Sequence, residues 1–112
     1  MNEQIVNIAM QILLHAGDAR TQIAKAGNLT AEFKIEKAEE MLKKAQENLL
    51  LAHKTQTSLI QGEADGEKVE ISVLFSHAQD TLMVTGSEYN MAKQMLNLTK
   101  SLLRRLEGLE SR

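Results

Sequence analysis

The chain has 112 residues, and its 13 basic against 15 acidic side chains give a net charge of −2. No basic cluster is larger than Arg104-Arg105, so the positive surface of a nucleic-acid binder is missing and we expect no such partner. Cys is absent, which excludes disulfides, thiolate zinc sites and a cysteine nucleophile. The length suits a single domain over residues 1–112.

The composition favours an all-α fold. Pro is absent and aromatic residues are scarce, while strong helix formers such as Ala, Leu, Glu and Lys are abundant. No apolar run approaches the roughly 20 residues of a membrane span, and the segment MNEQIVNIAM lacks the basic flank of a targeting signal. We therefore expect a cytoplasmic protein that does not insert into a membrane.

The first predicted helix runs from about Asn2 to about Gly27. Its apolar residues recur at every third or fourth position, which places them on one helical face: Ile5, Ile8, Ile12, Ala16, Ala19, Ile23 and Ala26. Gly27-Asn28 then predicts a turn, and Thr30 is a candidate N-cap for the helix that follows.

The second predicted helix keeps this spacing more strictly. Its apolar positions resemble the seam of a coiled coil: Ile35, Ala38, Leu42, Ala45, Leu49, Ala52 and Leu59. Gln56 lies on the same seam, where a polar residue either sets the register of the helices or serves a functional site. The segment QGEADGE, residues 61–67, has the Gly and acidic residues of a loop and ends this helix.

The third predicted helix runs from about Lys68 to the C-terminal region, and Gly86 weakens its middle. One face can cover the other two helices and complete an antiparallel three-helix bundle: Ile71, Leu74, Ala78, Leu82, Thr85, Tyr89, Ala92 and Leu96. A second stripe is formed by Val73, His77, Asp80, Val84, Ser87 and Met91. Because the two faces together are wider than one subunit buries, we expect copies of this helix to meet in a symmetric oligomer.

Asp80 would approach its symmetry mates in such an oligomer. Carboxylates in a poorly hydrated seam repel one another and need a shared proton or a cation. Oxygen ligands completed by water suit Mg²⁺ better than Zn²⁺. The stripe alone therefore leaves two possibilities for Asp80, a shared proton or a structural Mg²⁺ ion.

His77 has the clearest chemical potential of any side chain in the sequence. It precedes Asp80 by three positions and so shares a face of the third helix with it. A neutral imidazole offers a nucleophilic nitrogen at physiological pH. We expect His15 to make a structural contact and His53 to lie at a partly exposed helix surface. No GxxxxGK[ST] loop occurs, which argues against a nucleotide-driven kinase.

Three segments together indicate a family: HAGDAR at 15–20, AHKTQTSLIQGEADGEKVEIS at 52–72 and HAQDTLM at 77–83. In order and spacing they resemble the lactose/cellobiose-type IIA component of the bacterial phosphoenolpyruvate-dependent sugar phosphotransferase system. The resemblance implies a homotrimer of three-helix subunits. It also implies that a histidine, here His77, accepts a phosphoryl group from the phosphocarrier HPr and passes it to a cysteine of the IIB component, and that Asp80 binds a metal ion shared on the trimer axis.

Ser76, Gln79 and Gln56 are then candidate hydrogen-bond donors to the phosphoryl oxygens. Family members commonly read HAQDHLM, so Thr81 replaces a second histidine here, and any supporting role of that histidine is absent or taken over elsewhere. The first hairpin of the family carries a Gly-Asp pair close to the position of Phe33, whereas this chain has Gly27-Asn28 upstream.

Two other kinds of protein fit parts of the sequence. A non-enzymatic helical scaffold would account for the heptad-like spacing without any chemistry. A di-iron bundle would need Glu three residues before a His on facing helices. No Glu precedes His15, His53 or His77 at that distance, so we rank this alternative last.

Overall fold

The computed structural model describes residues 3–66 and 72–112, which form a helical rod of 67 × 22 × 18 Å. Within these residues the chain folds into α1 (Glu3–Ala31), α2 (Ile35–Ala64) and α3 (Val73–Glu110). None of the helices in these two ranges combines the length and the apolar character that a membrane crossing requires. The predicted all-α class is confirmed.

The helices run up, down and up, so that α1 and α3 are parallel and α2 is antiparallel to both. One core cluster joins the early part of α1 to the late part of α2 and the start of α3, through residues such as Ile12, Leu49 and Leu82. A second cluster, with Ala26, Leu42 and Leu96, lies toward the other end. The order of these contacts confirms the predicted three-helix bundle.

The predicted apolar faces are the buried ones. In α1 and α2 the core positions are largely Ala, and Ala16, Ala19, Ala38, Ala45 and Ala52 have no exposed surface. Small side chains let helix axes approach closely, which suits a core nearly free of aromatic residues. In α3 the predicted face is also buried or partly buried: Leu74, Ala78, Leu82, Thr85, Tyr89, Ala92 and Leu96. Ile71, predicted for this face, lies outside the described residues.

The end of the first helix was predicted wrongly. α1 continues through Gly27 and Asn28 to Ala31, because Ala26 and Thr30 extend its buried face. A single Gly inside a helix costs only about 1 kcal/mol relative to Ala, so Gly27 does not by itself end α1. Thr30 is not an N-cap: its hydroxyl donates to the Ala26 carbonyl at 2.8 Å, and Lys34 caps α2 without a side-chain hydrogen bond.

The turn between α1 and α2 lies at Phe33, which has a φ of 60°. The Lys34 N–H donates to the Leu29 carbonyl at 2.9 Å and the Phe33 N–H to the Thr30 carbonyl at 3.0 Å. This is the hydrogen-bond pattern of a Schellman motif, whose left-handed position is usually Gly. A bulky residue there costs about 1–2 kcal/mol, so the turn is strained.

The second connection also differs from the prediction. α2 extends to Ala64, into the predicted loop, and Gly66 with a φ of 96° follows its end. α3 begins at Val73 because Ser72 is extended (φ −129°, ψ 129°), and the Ser72 hydroxyl accepts a hydrogen bond from the Phe75 N–H at 3.2 Å. The predicted start at Lys68 lies outside the described residues. Gly86 does not interrupt α3.

Candidate functional site

His77 lies in the second turn of α3 with its side chain exposed. The Ser72 cap fixes where this helix begins and therefore how far His77 stands from the end of the bundle. Its imidazole forms no hydrogen bond or ion pair with any other residue in the described ranges. The ring is thus open to solvent and to an approaching partner.

Asp80 is exposed on the same helix, and both side chains belong to a long apolar surface that α1 and α2 leave uncovered. We call this surface the α3 stripe. Its exposed large apolar residues are Val73, Val84, Met91, Met95, Leu98, Leu102, Leu106 and Leu109. The predicted second stripe is therefore present and continues past Met91 almost to the end of α3. An uncovered apolar surface of this length is a mark of an interaction site.

One subunit does not build a metal site on its own. The described residues contain no group of three or more His, Cys, Asp or Glu side chains placed to hold an ion. Asp80 alone supplies a single carboxylate, so Mg²⁺ fits only if several copies bring Asp80 together and water completes the octahedron. The facing carboxylate and histidine pairs of a di-iron bundle are likewise absent from the described part of the chain.

The candidate supporting residues lie in different places. With about 100° of rotation per residue, Gln79 projects about 160° and Ser76 about 100° away from His77 around the axis of α3. Gln56 is half-buried in α2, one turn beyond the buried Ala52. Within one chain, α3 therefore does not turn Gln79 or Ser76 toward the imidazole, and their role in phosphoryl binding stays a prediction.

Thr81, which stands where family members commonly have a second histidine, is a polar residue one turn after His77. Its hydroxyl donates to the His77 carbonyl at 2.9 Å. One turn further, the fully buried Thr85 donates in the same way to the Thr81 carbonyl at 2.6 Å. The spacing of four residues along a helix is the signal that could have pointed to this pair of bonds.

A polar chain between α1 and α2 was also missed. His15 Nδ1 lies 3.3 Å from Asn48 Oδ1, and Asn48 Nδ2 donates to Gln22 Oε1 at 3.0 Å. Because Asn48 accepts through Oδ1, the proton of a neutral His15 belongs on Nδ1. His15 thus makes the structural contact expected of it.

A groove of about 740 Å³ lies between the first turns of α1 and the last turns of α2. His53, Lys54 and Ser58 line it together with apolar residues such as Ile8 and Leu50. Since α2 is antiparallel to α3, this groove and His77 occupy the same end of the rod. His53 itself is exposed there, as expected.

Comparison with known proteins agrees with this architecture. The family model described as PTS system, Lactose/Cellobiose specific IIA subunit matches residues 7–100. The lichenan-specific phosphotransferase enzyme IIA component of Bacillus subtilis strain 168 is 39% identical over 102 residues, which cover 91% of this chain and 93% of that protein. The lactose-specific EIIA component of Streptococcus mutans is 36% identical over 98 residues, which cover 88% of this chain and 94% of that protein. The crystal structure of the PTS cellobiose-specific enzyme IIA from Bacillus anthracis has a TM-score of 0.86 at 39% identity and covers 93% of this chain and 95% of that one.

A three-helix subunit that matches such proteins over nearly all of its length is a phosphoryl-transfer component of a sugar phosphotransferase system. The chain belongs to the lactose/cellobiose-specific IIA family. Membership in this family implies a role in the uptake of sugars of that type, with HPr and a IIB component as partners. This assignment decides against the non-enzymatic scaffold.

Proposed function

We propose that His77 carries the phosphoryl group, taking it from HPr and passing it to a cysteine of the IIB component. The supporting observation is the exposed imidazole of His77, which no described residue engages. His15 is half-buried and bonded to Asn48, which makes it a poorer acceptor. His53 is exposed, but it lies on α2 in the segment 52–72, whereas the resemblance assigns the phosphoryl group to the histidine of HAQDTLM, which is His77.

The chemistry needs little beyond an accessible ring. The lone pair of a neutral imidazole nitrogen attacks phosphorus, and the nitrogen–phosphorus bond forms as the bond from phosphorus to the donor breaks. A thiolate of the IIB component then attacks the same phosphorus, so a sulfur–phosphorus bond forms and the lone pair returns to the ring. Such transfers depend chiefly on in-line positioning and charge stabilisation, for which Ser76, Gln79 and Gln56 are the candidate donors.

We also propose that the functional unit is a homotrimer in which Asp80 and the apolar residues of the α3 stripe face a common axis, while His77, about 60° around α3 from Asp80, lies at the edge of that contact. The support is the apolar character of the stripe, which one subunit leaves in water. In that arrangement three Asp80 side chains would hold a Mg²⁺ ion, whose charge offsets their mutual repulsion. Residues 1–112 would act as one IIA unit in the cytoplasm, where phosphoenolpyruvate is available.

Phosphorylation in a reconstituted system tests the assignment of His77. The protein is incubated with phosphoenolpyruvate, enzyme I and HPr, and acid-labile phosphate is located by mass spectrometry of peptides kept at alkaline pH. We expect one phosphoryl group on His77, none on the variant His77→Ala, and normal labelling of His53→Ala, a matched exposed histidine. An unlabelled wild-type chain, or label that survives in His77→Ala, would defeat the proposal.

A further inference from the structure

Thr81 links the backbone of His77 to the core of the subunit. It lies four residues after His77, and the two side chains differ by only about 40° around the axis of α3. Thr81 is half-buried and stands between the exposed His77 and the fully buried Thr85. Its hydroxyl donates to the His77 carbonyl at 2.9 Å.

These bonds constrain the turn of α3 that carries the imidazole. In the helix the His77 carbonyl also accepts the Thr81 N–H, so the hydroxyl adds a second donor to the same oxygen. Thr85 repeats the arrangement on the Thr81 carbonyl at 2.6 Å, and Thr85 cannot shift because it is enclosed by the core. Hydroxyl bonds of this kind alter local helix geometry, and β-branched Thr has few alternative rotamers.

We infer that Thr81 is a positioning residue for phosphoryl transfer. Its hydroxyl holds the backbone of His77 in the orientation from which the imidazole meets the donor in line, and Thr85 anchors that arrangement in the core. The inference rests on the proposed role of His77. It explains how a chain with Thr in place of a second histidine can still present one reactive ring, since the support acts on the backbone of His77 and needs no second imidazole.

The variant Thr81→Val removes the hydroxyl and keeps the volume and the branching at Cβ. Thr99→Val is the matched control, because Thr99 makes the same bond to the Met95 carbonyl, at 2.8 Å, on the same helix far from His77. Thr81→Ser restores the hydroxyl. Rates of phosphoryl uptake from phosphorylated HPr are measured at several HPr concentrations, and the side-chain rotamer of His77 is read from three-bond NMR couplings.

For Thr81→Val we expect kcat to fall about tenfold with KM unchanged, because a small misalignment impairs in-line transfer but leaves the docking surface intact. We also expect the His77 couplings to show rotamer averaging, and Thr81→Ser to recover both the rate and the single rotamer. Equal rates for Thr81→Val and Thr99→Val would overturn the inference, as would a loss that Thr81→Ser does not repair. If Thr81→Val unfolds, Thr81→Ala takes its place: a lower rate with averaged His77 couplings supports the inference, and a rate equal to that of Thr99→Val overturns it.

The design separates this inference from the function on which it rests. A wild-type chain that takes no phosphate on His77 refutes both. A wild-type chain that is labelled on His77 while Thr81→Val reacts at the wild-type rate refutes the role of Thr81 alone.

Discussion

Replacing Leu98 by Ala tests whether the α3 stripe holds subunits together. Leu98 is 61% exposed in the isolated subunit. The change removes three carbon groups, each worth about 0.8 kcal/mol when fully buried, so covering the exposed fraction is worth about 1.5 kcal/mol per chain. In the proposed trimer the three chains together would lose about 4 kcal/mol, which would lower the trimerisation constant about a thousandfold.

Sedimentation equilibrium over a range of protein concentrations measures this change. The control is Leu14→Ala on α1, where the same side chain is also 61% exposed but lies off the stripe. We expect Leu98→Ala to shift the mass toward the monomer while Leu14→Ala keeps the wild-type curve, and helicity to stay the same in both. Equal association of the two variants, or a wild-type chain that is monomeric throughout, would refute the reasoning.

Three further changes have definite expected results. If Asp80 binds Mg²⁺ on the axis, EDTA should weaken wild-type association in the same sedimentation assay, whereas Asp80→Asn, which removes the repelling charges, should associate equally well with and without EDTA. Asn48→Ala should lower the free energy of unfolding by about 1–2 kcal/mol in urea titrations because it removes the bonds to His15 and Gln22; a loss no larger than that of exposed Glu47→Ala would contradict this. Phe33→Gly should be more stable than Phe33→Ala by about 1 kcal/mol, since both lack the ring and only Gly is free of the strain of a positive φ; equal stabilities would argue against that strain.

The faces of the helices were predictable because burial acts on every turn. In α2 each predicted seam position from Ala38 to Ala52 is buried. Residues spaced three and four apart lie on one face of a helix, and packing that face against the other helices buries all of them together. The ends of the helices were harder. Gly27 is a weak stop signal, and burial of Thr30 beyond it decided the outcome. The turn therefore lies at Phe33. Phe rarely adopts the left-handed conformation, so the sequence did not indicate a turn at this position.

The residues of the candidate site were predictable from the sequence, but the hydrogen bonds that they form were less so. That His77 and Asp80 share an exposed side of α3 follows from helical spacing alone. The hydroxyl bond from Thr81 depends on which rotamer the surroundings allow. The link from Asn48 to His15 depends on how two helices are aligned, which periodicity within either helix does not specify. Contacts between subunits depend on the surfaces of more than one chain, so the trimer and its Mg²⁺ ion stay predictions.

The length of α3 separates the two roles that we propose for this helix. His77 lies near one pole of the rod, while Leu109 lies about 48 Å away along the same axis, at 1.5 Å per residue. If the distal half of the α3 stripe holds the subunits together, as we propose, substitutions there change the strength of association and leave the surroundings of His77 intact. Under that proposal, assembly strength and transfer rate can change independently during evolution, because each depends on a different part of α3.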